Sequence, residues 1–447
     1  MGEHGTRIEI QRLGPPRWDS PLRAYGAKGT GVGRFVSDGT WVRSKIEIGP
    51  EAANQASPPP EQDDDYLFEK AGPRDRIFFD PARTRAAVVT CGGLSPGLNS
   101  VIRSLYLELH HNYGVREVLG IRQGYRGLNP REGLPPIPLT CELVDDIHKE
   151  GGTILASSRG EQDVGVMVDY LVNSGIDILF CVGGDGTQRG AAAIAEEIRR
   201  RRLDLAVVGI PKTIDNDIAF CTRTFGHVTA IEEASKVLQL AHVEAKGAPR
   251  AIGLVKLMGR HAGFIVCGAV LGSQEVNFAL IPEVPFEMEG PDGLLEHLAE
   301  RMDSRDHAVI AVAEGAGQHL FADQPSPGLD ASKNKRHHDI GAYLRDRIVA
   351  YFETVGRPIV MKYFDPSYII RSVSPDTDDS ILCDQLARRA VHAAMAGKTD
   401  LVVSYLNESF VHVPIAMVVG AKRQVDPEGE LWASVLATTG QPPRIGR

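Results

Sequence analysis

The run Val182-Gly183-Gly184-Asp185-Gly186-Thr187-Gln188-Arg189-Gly190-Ala191 sets a carboxylate among glycines. Glycines let backbone N–H groups approach a phosphate, but a carboxylate beside them repels that ligand unless a cation stands between. Asp185 therefore points to Mg²⁺; the plainer reading is an aspartate capping a helix, aided by Thr187. A second run, Gly209-Ile210-Pro211-Lys212-Thr213-Ile214-Asp215-Asn216-Asp217, offers a lysine, a hydroxyl and two carboxylates in close succession. If it is extended, Asp215 and Asp217 lie on one side, one acting as a base while the other orders the waters of a metal. A solvated Asx turn is the alternative, and it leaves Lys212 and Thr213 unexplained.

Further turns carry the same kind of chemistry. In Thr90-Cys91-Gly92-Gly93-Leu94-Ser95-Pro96-Gly97-Leu98-Asn99 the glycines at 92 and 97 have Walker A spacing, but Leu98 replaces the lysine and Asn99 the hydroxyl residue. It is either a backbone phosphate loop opening a helix or a tight turn. In Lys256-Leu257-Met258-Gly259-Arg260-His261-Ala262-Gly263, Arg260 could neutralise a transferring phosphoryl group or cap a sheet edge, and His261 reads as structural. Glu314 could accept hydrogen bonds from sugar hydroxyls, and Tyr368 with Arg371 suits a sugar phosphate. Strand-end salt bridges are the alternative for both. Arg159, in the run 151–160, offers a guanidinium to a nucleotide phosphate with the same ambiguity.

The elements that position these turns are short apolar runs alternating with helical ones, the pattern of a parallel sheet wrapped by helices. Candidate strands are 86–90, 117–121, 176–182, 205–210, 251–257, 308–313 and 401–404; candidate helices are 100–111, 188–202, 229–244 and 378–396. The glycine-rich turns follow the strands directly, at the carboxyl ends where open α/β sheets bind ligands. Residues 1 to about 85, with Pro15-Pro16 and the proline and aspartate run at 57–65, read as an extension with little core. The stretch 315–338 reads as an exposed loop.

The chain of 447 residues, 43% apolar and 24% charged, has room for two or three domains. Its 49 basic against 58 acidic residues give a net charge of −9, which excludes the global basic field of an indiscriminate nucleic-acid binder. No leader-like apolar segment opens the chain and no run of about 18 apolar residues spans a membrane, so a cytoplasmic protein without membrane or nucleic-acid partners is expected. The six cysteines, widely spaced and without a C-x-x-C pair, read as buried reduced thiols.

Taken in order, GGLSPGLN (Gly92–Asn99), GGTILASSRG (Gly151–Gly160), GGDGTQRGA (Gly183–Ala191), PKTIDND (Pro211–Asp217), KLMGRHAGF (Lys256–Phe264), AEGAGQ (Ala313–Gln318) and DPSYIIRS (Asp365–Ser372) resemble the 6-phosphofructokinase family. The set is specific where no single turn would be, and it is similar to the long ATP-dependent branch of plant and protist type. The resemblance implies an α/β protein of two Rossmann-like lobes, parallel sheets flanked by helices, with an N-terminal extension at 1–80. A nucleotide-binding lobe would take 81–220 and 374–429, and a sugar-phosphate lobe 221–373 and 430–447. It implies transfer of the γ-phosphoryl group of ATP to the C1 hydroxyl of fructose 6-phosphate, with Mg²⁺, in a homo-oligomer expected to be a tetramer.

Carried over by the resemblance, Gly92, Arg159, Gly160, Gly184, Asp185, Gly186 and Thr187 would hold the nucleotide, Asp185 through Mg²⁺. Asp215 matches the general base. Lys212, Thr213, Ile214, Met258, Gly259, Arg260, Glu314, Tyr368, Ile369, Ile370 and Arg371 match the substrate side, with Arg260 also catalytic. Two markers of the donor disagree: Lys212 is shared with pyrophosphate-dependent enzymes, while Gly186 stands where those carry an aspartate. Gly186 carries more weight, because a missing side chain leaves room for a nucleotide beyond its β-phosphate. A pyrophosphate-dependent enzyme and a non-catalytic regulatory paralogue remain the alternatives; loss of Asp185, Asp215 or Arg260 would mark the latter, and all three are present.

Overall fold

Side chains on successive residues of a strand point to opposite faces, so a strand covered on both faces must be apolar throughout. Apart from Arg85 and Thr90 at the ends of the first, Arg85–Thr90, Ile178–Gly183 and Ala206–Pro211 meet that condition: Ala86, Val88, Phe180, Val182 and Val208 pack into one buried layer, Ala87, Val89, Leu179, Cys181 and Val207 into the other. Helices Leu98–Leu107 and Thr377–Met395 cover the first face; Val164–Asn173 and Asp185–Arg201 cover the second. The computed structural model describes residues 5–24, 35–46, 65–329 and 335–446. The chain divides into two compact units, unit 1 being Met1–Thr213, Ile218–Gly226 and Ser374–Lys422, and unit 2 being Ile214–Asp217, His227–Val373 and Arg423–Arg447.

Unit 1 is built on a mixed sheet of ten strands among the described residues. Its centre runs Leu401–Leu406, Ala206–Pro211, Ile178–Gly183, Arg85–Thr90, Glu117–Ile121, all parallel. Ser409–Pro414 adds an antiparallel strand beyond Leu401–Leu406. Unit 2 holds a four-stranded parallel sheet in the order Phe278–Leu280, His307–Ala313, Ala251–Leu257, Val360–Phe364. Both units are the expected α/β layers.

The units differ from the expected lobes at the two crossings. Residues 214–217 and 423–429 belong to unit 2, and 221–226 to unit 1. Backbone bonding sets the division: Arg423 N donates to Asp217 O at 3.0 Å within unit 2, and Ile218 bridges Lys422 within unit 1.

The extension is more than an arm. Tyr66–Lys70 pairs with Ser409–Pro414 and carries Thr6–Ile8 and Trp41–Arg43 beside it, while Leu22, Phe68 and Phe78 are buried. Of the run at 57–65, residues 57–64 lie outside the described residues, and Asp65 pairs with Arg43. In the stretch 315–338, Ala316 and Phe321 are buried and a short 3₁₀ turn spans Gln318–Phe321; residues 330–334 lie outside the described set. The cysteine expectation also needs one correction: all six are free thiols, but Cys141 is exposed, because it opens a short surface helix, Cys141–Val144, rather than a strand or core helix.

Charge docks the extension to unit 1. The Glu69 carboxylate, 3% exposed, accepts from Arg74 at 2.5 Å, from Lys398 and from His412 Nδ1 at 3.1 Å, and Asp38 accepts from Arg74 at 2.6 Å and Lys398 at 3.1 Å. Burial alone would raise the Glu69 pKa, but hydrogen bonds and charge from His412 and Lys398 outweigh it and hold it at about 2. Burial pushes His412 down to about 4, so at neutral pH the imidazole is uncharged and the standing cations on Glu69 are the buried Arg74 and Lys398, with the more exposed Arg12 at 3.4 Å.

Both folded-state values lie below the ordinary ones, so the unfolded chain binds more protons in acid and stability is lost as pH drops. His412 contributes that loss as pH drops from about 6.5 toward 4, and Glu69 below about 4.5. Glu69→Gln leaves two buried cations short of their anion and is expected to cost about 3–5 kcal/mol. Thermal unfolding should show a lower Tm for Glu69→Gln at pH 7, and a flatter fall of Tm between pH 6.5 and 4 for His412→Gln than for the natural chain. An unchanged Tm in the first variant would mean that the network adds nothing to docking.

Candidate active site

Register places the expected nucleotide turns together. In unit 1 Thr90 pairs with Val182, and Pro211 with Gly183, so the turns after three parallel neighbours leave the sheet at one edge. Cys91 N donates to Val182 O at 3.0 Å and Lys212 N to Gly183 O at 3.1 Å. The Lys212 side chain, 6% exposed, turns back so that its ammonium donates to Gly93 O. Gly92, at φ 86°, needs glycine's left-handed freedom. Ser157 Oγ donates to Gly92 O at 2.6 Å, and Gly92 N donates to Ser158 O at 3.2 Å, which brings the exposed Arg159-Gly160 next in chain to the same loop.

Helix Asp185–Arg201 starts from Gly184 in an extended conformation, with no side-chain cap. The capping alternative for Asp185 therefore fails: it sits in the first turn, and its carboxylate accepts from Arg189 at 2.5 Å. Thr187 packs against Gly183, where any Cβ would collide with it, and its carbonyl accepts from the Tyr125 hydroxyl at 2.7 Å. Gly186 is different. Its φ is not positive, and a Cβ there would meet only the Arg189 guanidinium at 3.8 Å, so neither backbone nor packing demands glycine.

The donor set fits a substrate-borne Mg²⁺. Among the described residues no group of three or more His, Cys, Asp or Glu side chains could cage a metal. Mg²⁺ is ordinarily held by one or two carboxylates together with substrate phosphates and water, and Asp185, half-buried beside the glycine turns, supplies one such carboxylate.

Unit 2 repeats the arrangement on its own sheet. Leu257 pairs with Ala313 and Val255 with Phe364, so the turns holding Met258–Arg260, Glu314 and 365–371 leave from one edge. Gly259, at φ 130°, could not carry a Cβ, which would lie 2.7 Å from Ala262 O. Arg260 N donates to Asp215 Oδ2 at 3.3 Å, joining the expected base to this loop, and the Arg260 guanidinium donates to Lys335 O. The extended reading of 214–217 is corrected: Ile214 and Asp215 form a turn and Asn216 has φ 56°, so strand alternation does not relate Asp215 to Asp217. The cause is local, since His227 Nδ1 bonds Ile214 O at 2.8 Å and fixes that bend.

Burial pushes the Glu314 carboxyl above its usual range, against the charges of Arg260 and Lys256. The Arg371 guanidinium lies over the Tyr368 ring at 4.7 Å and makes no ion pair among the described residues, which removes the salt-bridge alternative for that pair. Tyr368 and Ile369 are exposed, whereas Ile370 and Ile214 are buried in the core, so the last two present backbone rather than side chain to any ligand. Met258 is half-buried, as is Thr213, whose carbonyl in unit 1 accepts from Thr224 Oγ1 at 2.6 Å.

Three residues of these turns had no role in the sequence reading. Gln188 is fully buried, and its amide donates to Gly183 O at 2.9 Å and Ile210 O at 3.3 Å, stitching two strand ends. Arg189 pairs with Asp185. Lys256 bridges Asp365 at 2.8 Å and Asp339 at 3.2 Å. The available signal was a polar residue inside an apolar pattern, as in Ala251-Ile252-Gly253-Leu254-Val255-Lys256-Leu257.

The family model described as phosphofructokinase matches residues 85–394. A protein of Borreliella burgdorferi named ATP-dependent 6-phosphofructokinase is 45% identical over 441 residues, 97% of this chain and 97% of its own. An Arabidopsis thaliana protein named ATP-dependent 6-phosphofructokinase 5, chloroplastic, is 45% identical over 375 residues, 84% of this chain and 69% of its own. Among solved structures, Pichia pastoris phosphofructokinase in the T-state is similar with a TM-score of 0.62 at 23% identity, over 80% of this chain and 37% of that one. At that identity the likeness is one of fold.

Proposed function

This chain belongs to the phosphofructokinase family, and we propose that it transfers the γ-phosphoryl group of ATP to the C1 hydroxyl of fructose 6-phosphate. The observation that carries the choice of donor is Gly186: the fold leaves space at a position where it does not itself require glycine. A nucleotide extending past its β-phosphate uses that space; pyrophosphate has nothing to put there. A pyrophosphate donor is the second reading, favoured by Lys212, whose ammonium lies against Gly93 O in the same cluster of turns.

In this proposal Gly92, Arg159, Gly160, Gly184, Gly186 and Thr187 of unit 1 line the nucleotide, and Lys212 and Thr213 meet the transferred group. Asp185 would hold Mg²⁺, which when bound supplies positive charge to the phosphate oxygens. In unit 2 Asp215 takes the proton from the attacking hydroxyl. Its hydrogen bond from Arg260 N supports this role by fixing one carboxylate oxygen. Arg260 offers positive charge to the transferring group, Glu314 accepts from sugar hydroxyls, and Tyr368 with Arg371 takes the 6-phosphate. Met258 and Gly259, with the backbone of Ile214, Ile369 and Ile370, complete the sugar side.

A homotetramer, which follows the resemblance, and a cytoplasmic location, expected from the sequence, remain part of the proposal. No helix among the described residues is long and apolar enough to cross a membrane. The reaction is tested by incubating the protein with fructose 6-phosphate, Mg²⁺ and ATP. Equal amounts of ADP and a bisphosphate newly esterified at C1 are expected, and phosphorylation of any other position would overturn the assignment.

Arg371→Ala is expected to raise the half-saturating concentration of fructose 6-phosphate about 10²-fold, as loss of a charge-assisted phosphate contact does, with the ATP constant within about twofold. Parallel changes in both constants would instead make Arg371 a structural residue.

A further inference from the structure

Lys256 lies one residue inside the end of strand Ala251–Leu257, between two elements of unit 2 that its sheet does not itself join at that point. Its ammonium donates to Asp365 Oδ2 at 2.8 Å and Asp339 Oδ1 at 3.2 Å. Asp365 opens the turn that ends at Arg371, and Asp339 caps helix Ile340–Thr354, where its side chain accepts from Ala342 N. The lysine side chain is 13% exposed, and burial works against its charge; the hydrogen bonds to Asp365 and Asp339 outweigh that and hold the pKa above its ordinary value. Lys256 in turn helps hold the Asp365 carboxyl below its ordinary range against burial, so this pair is charged on both sides at neutral pH.

The fold makes room for this side chain. Gly341, in the first turn of helix Ile340–Thr354, would with a Cβ sit 2.5 Å from the Tyr363 hydroxyl and 3.0 Å from Lys256 Cδ. Asp365 divides its carboxylate between two tasks: Oδ1 accepts from Ser367 N at 3.2 Å and Ser367 Oγ at 2.5 Å, shaping the turn, while Oδ2 takes Lys256. The far end of the turn is pinned by Ile370, fully buried in the core. Between these anchors lies Tyr368, which is 74% exposed, and Arg371, just past Ile370, stacks upon its ring. One exposed and one half-buried side chain are thus presented by a short turn entered through Asp365, whose carboxylate pairs with Lys256.

We infer that Lys256 is a positioning residue: through Asp365 it fixes the 365–371 turn so that Tyr368 and Arg371 meet the 6-phosphate preorganised. This rests on the functional reading above and adds to it a residue that touches no substrate. Binding energy is lost when a phosphate-binding guanidinium must first be ordered by its ligand.

The test is steady-state kinetics with Lys256→Met, Lys256→Arg, Asp365→Asn and Asp339→Asn, each checked for an unchanged unfolding profile. Lys256→Met should raise the half-saturating fructose 6-phosphate concentration about tenfold, with kcat and the ATP constant within about twofold. Lys256→Arg should restore most of it, Asp365→Asn should reproduce the rise, and the double variant Lys256→Met/Asp365→Asn should be no worse than either single change. Asp339→Asn, which keeps an acceptor at the helix cap and weakens only the longer arm of the bridge, should leave that constant within about twofold. Parallel shifts in both substrate constants, no shift at all, or an Asp339→Asn effect equal to that of Asp365→Asn would overturn the positioning role. Absence of turnover with fructose 6-phosphate in the natural chain would overturn the functional reading itself, and this inference with it.

Discussion

Asp215→Asn is expected to lower kcat by about 10²–10⁴-fold, the range for a lost general base. The substitution keeps the shape of the side chain and an oxygen able to accept from Arg260 N, so the turn at 214–217 should stand. What disappears is the capacity to take a proton from the attacking hydroxyl. Nucleotide affinity, measured by equilibrium titration, should be unchanged, because the turns proposed to hold the nucleotide belong to unit 1 and Asp215 to unit 2. Turnover within a few-fold of the natural chain would remove Asp215 from the role. A loss of turnover accompanied by a lower Tm would point instead to the hydrogen bond with Arg260.

Gly186→Asp should abolish most of the ATP reaction without harming the fold. A Cβ at 186 meets nothing closer than the Arg189 guanidinium at 3.8 Å, so the protein accommodates the new side chain. A nucleotide would not. Two like charges about 4 Å apart at an effective dielectric near 20 repel by about 4 kcal/mol, which is about 10³-fold in kcat/KM before any screening by Arg189 or solvent. Gly186→Ala, adding bulk without charge, should lose much less and so separates the two effects. Lys212→Gly should slow the enzyme, since the ammonium tying Gly93 to this cluster is gone, but should not create a preference for pyrophosphate. Full ATP activity in Gly186→Asp would show that the space at 186 is not where the nucleotide lies.

Both predictions begin from turns legible in the sequence, and the reason is physical. Buried parallel strands are mostly apolar, so 86–90, 205–210 and 251–257 stand within a residue of Arg85–Thr90, Ala206–Pro211 and Ala251–Leu257. Edge and antiparallel strands carry polar residues and hide in the same pattern: Tyr66–Lys70 holds Glu69 and Lys70, Val360–Phe364 is half-exposed, and Ser409–Pro414 buries His412. The extension looked coreless because of Pro15-Pro16 and the proline and aspartate run at 57–65, yet Glu69 is buried against Lys398 and His412, more than 300 positions away. No local pattern reports a partner that distant.

The site shows the same division. Asp185, Asp215 and Arg260 stood out as candidates in the sequence because charged side chains are costly in a glycine-rich loop without a ligand. The residues that hold the turns did not, because Gln188 and Lys256 act through neighbours brought close only by strand register. The bend at Asn216 was missed for a similar reason, since its cause is His227, which lies 11 positions later in the chain.

The most direct test of the central claim compares donors. Purified natural chain is given saturating fructose 6-phosphate and Mg²⁺ with ATP, with pyrophosphate or with neither, and fructose bisphosphate formation is followed. The proposal expects turnover with ATP, at most a small fraction of that rate with pyrophosphate, and none without a donor. Faster turnover with pyrophosphate than with saturating Mg·ATP would contradict it, and Lys212 rather than Gly186 would then be the residue that reports the donor.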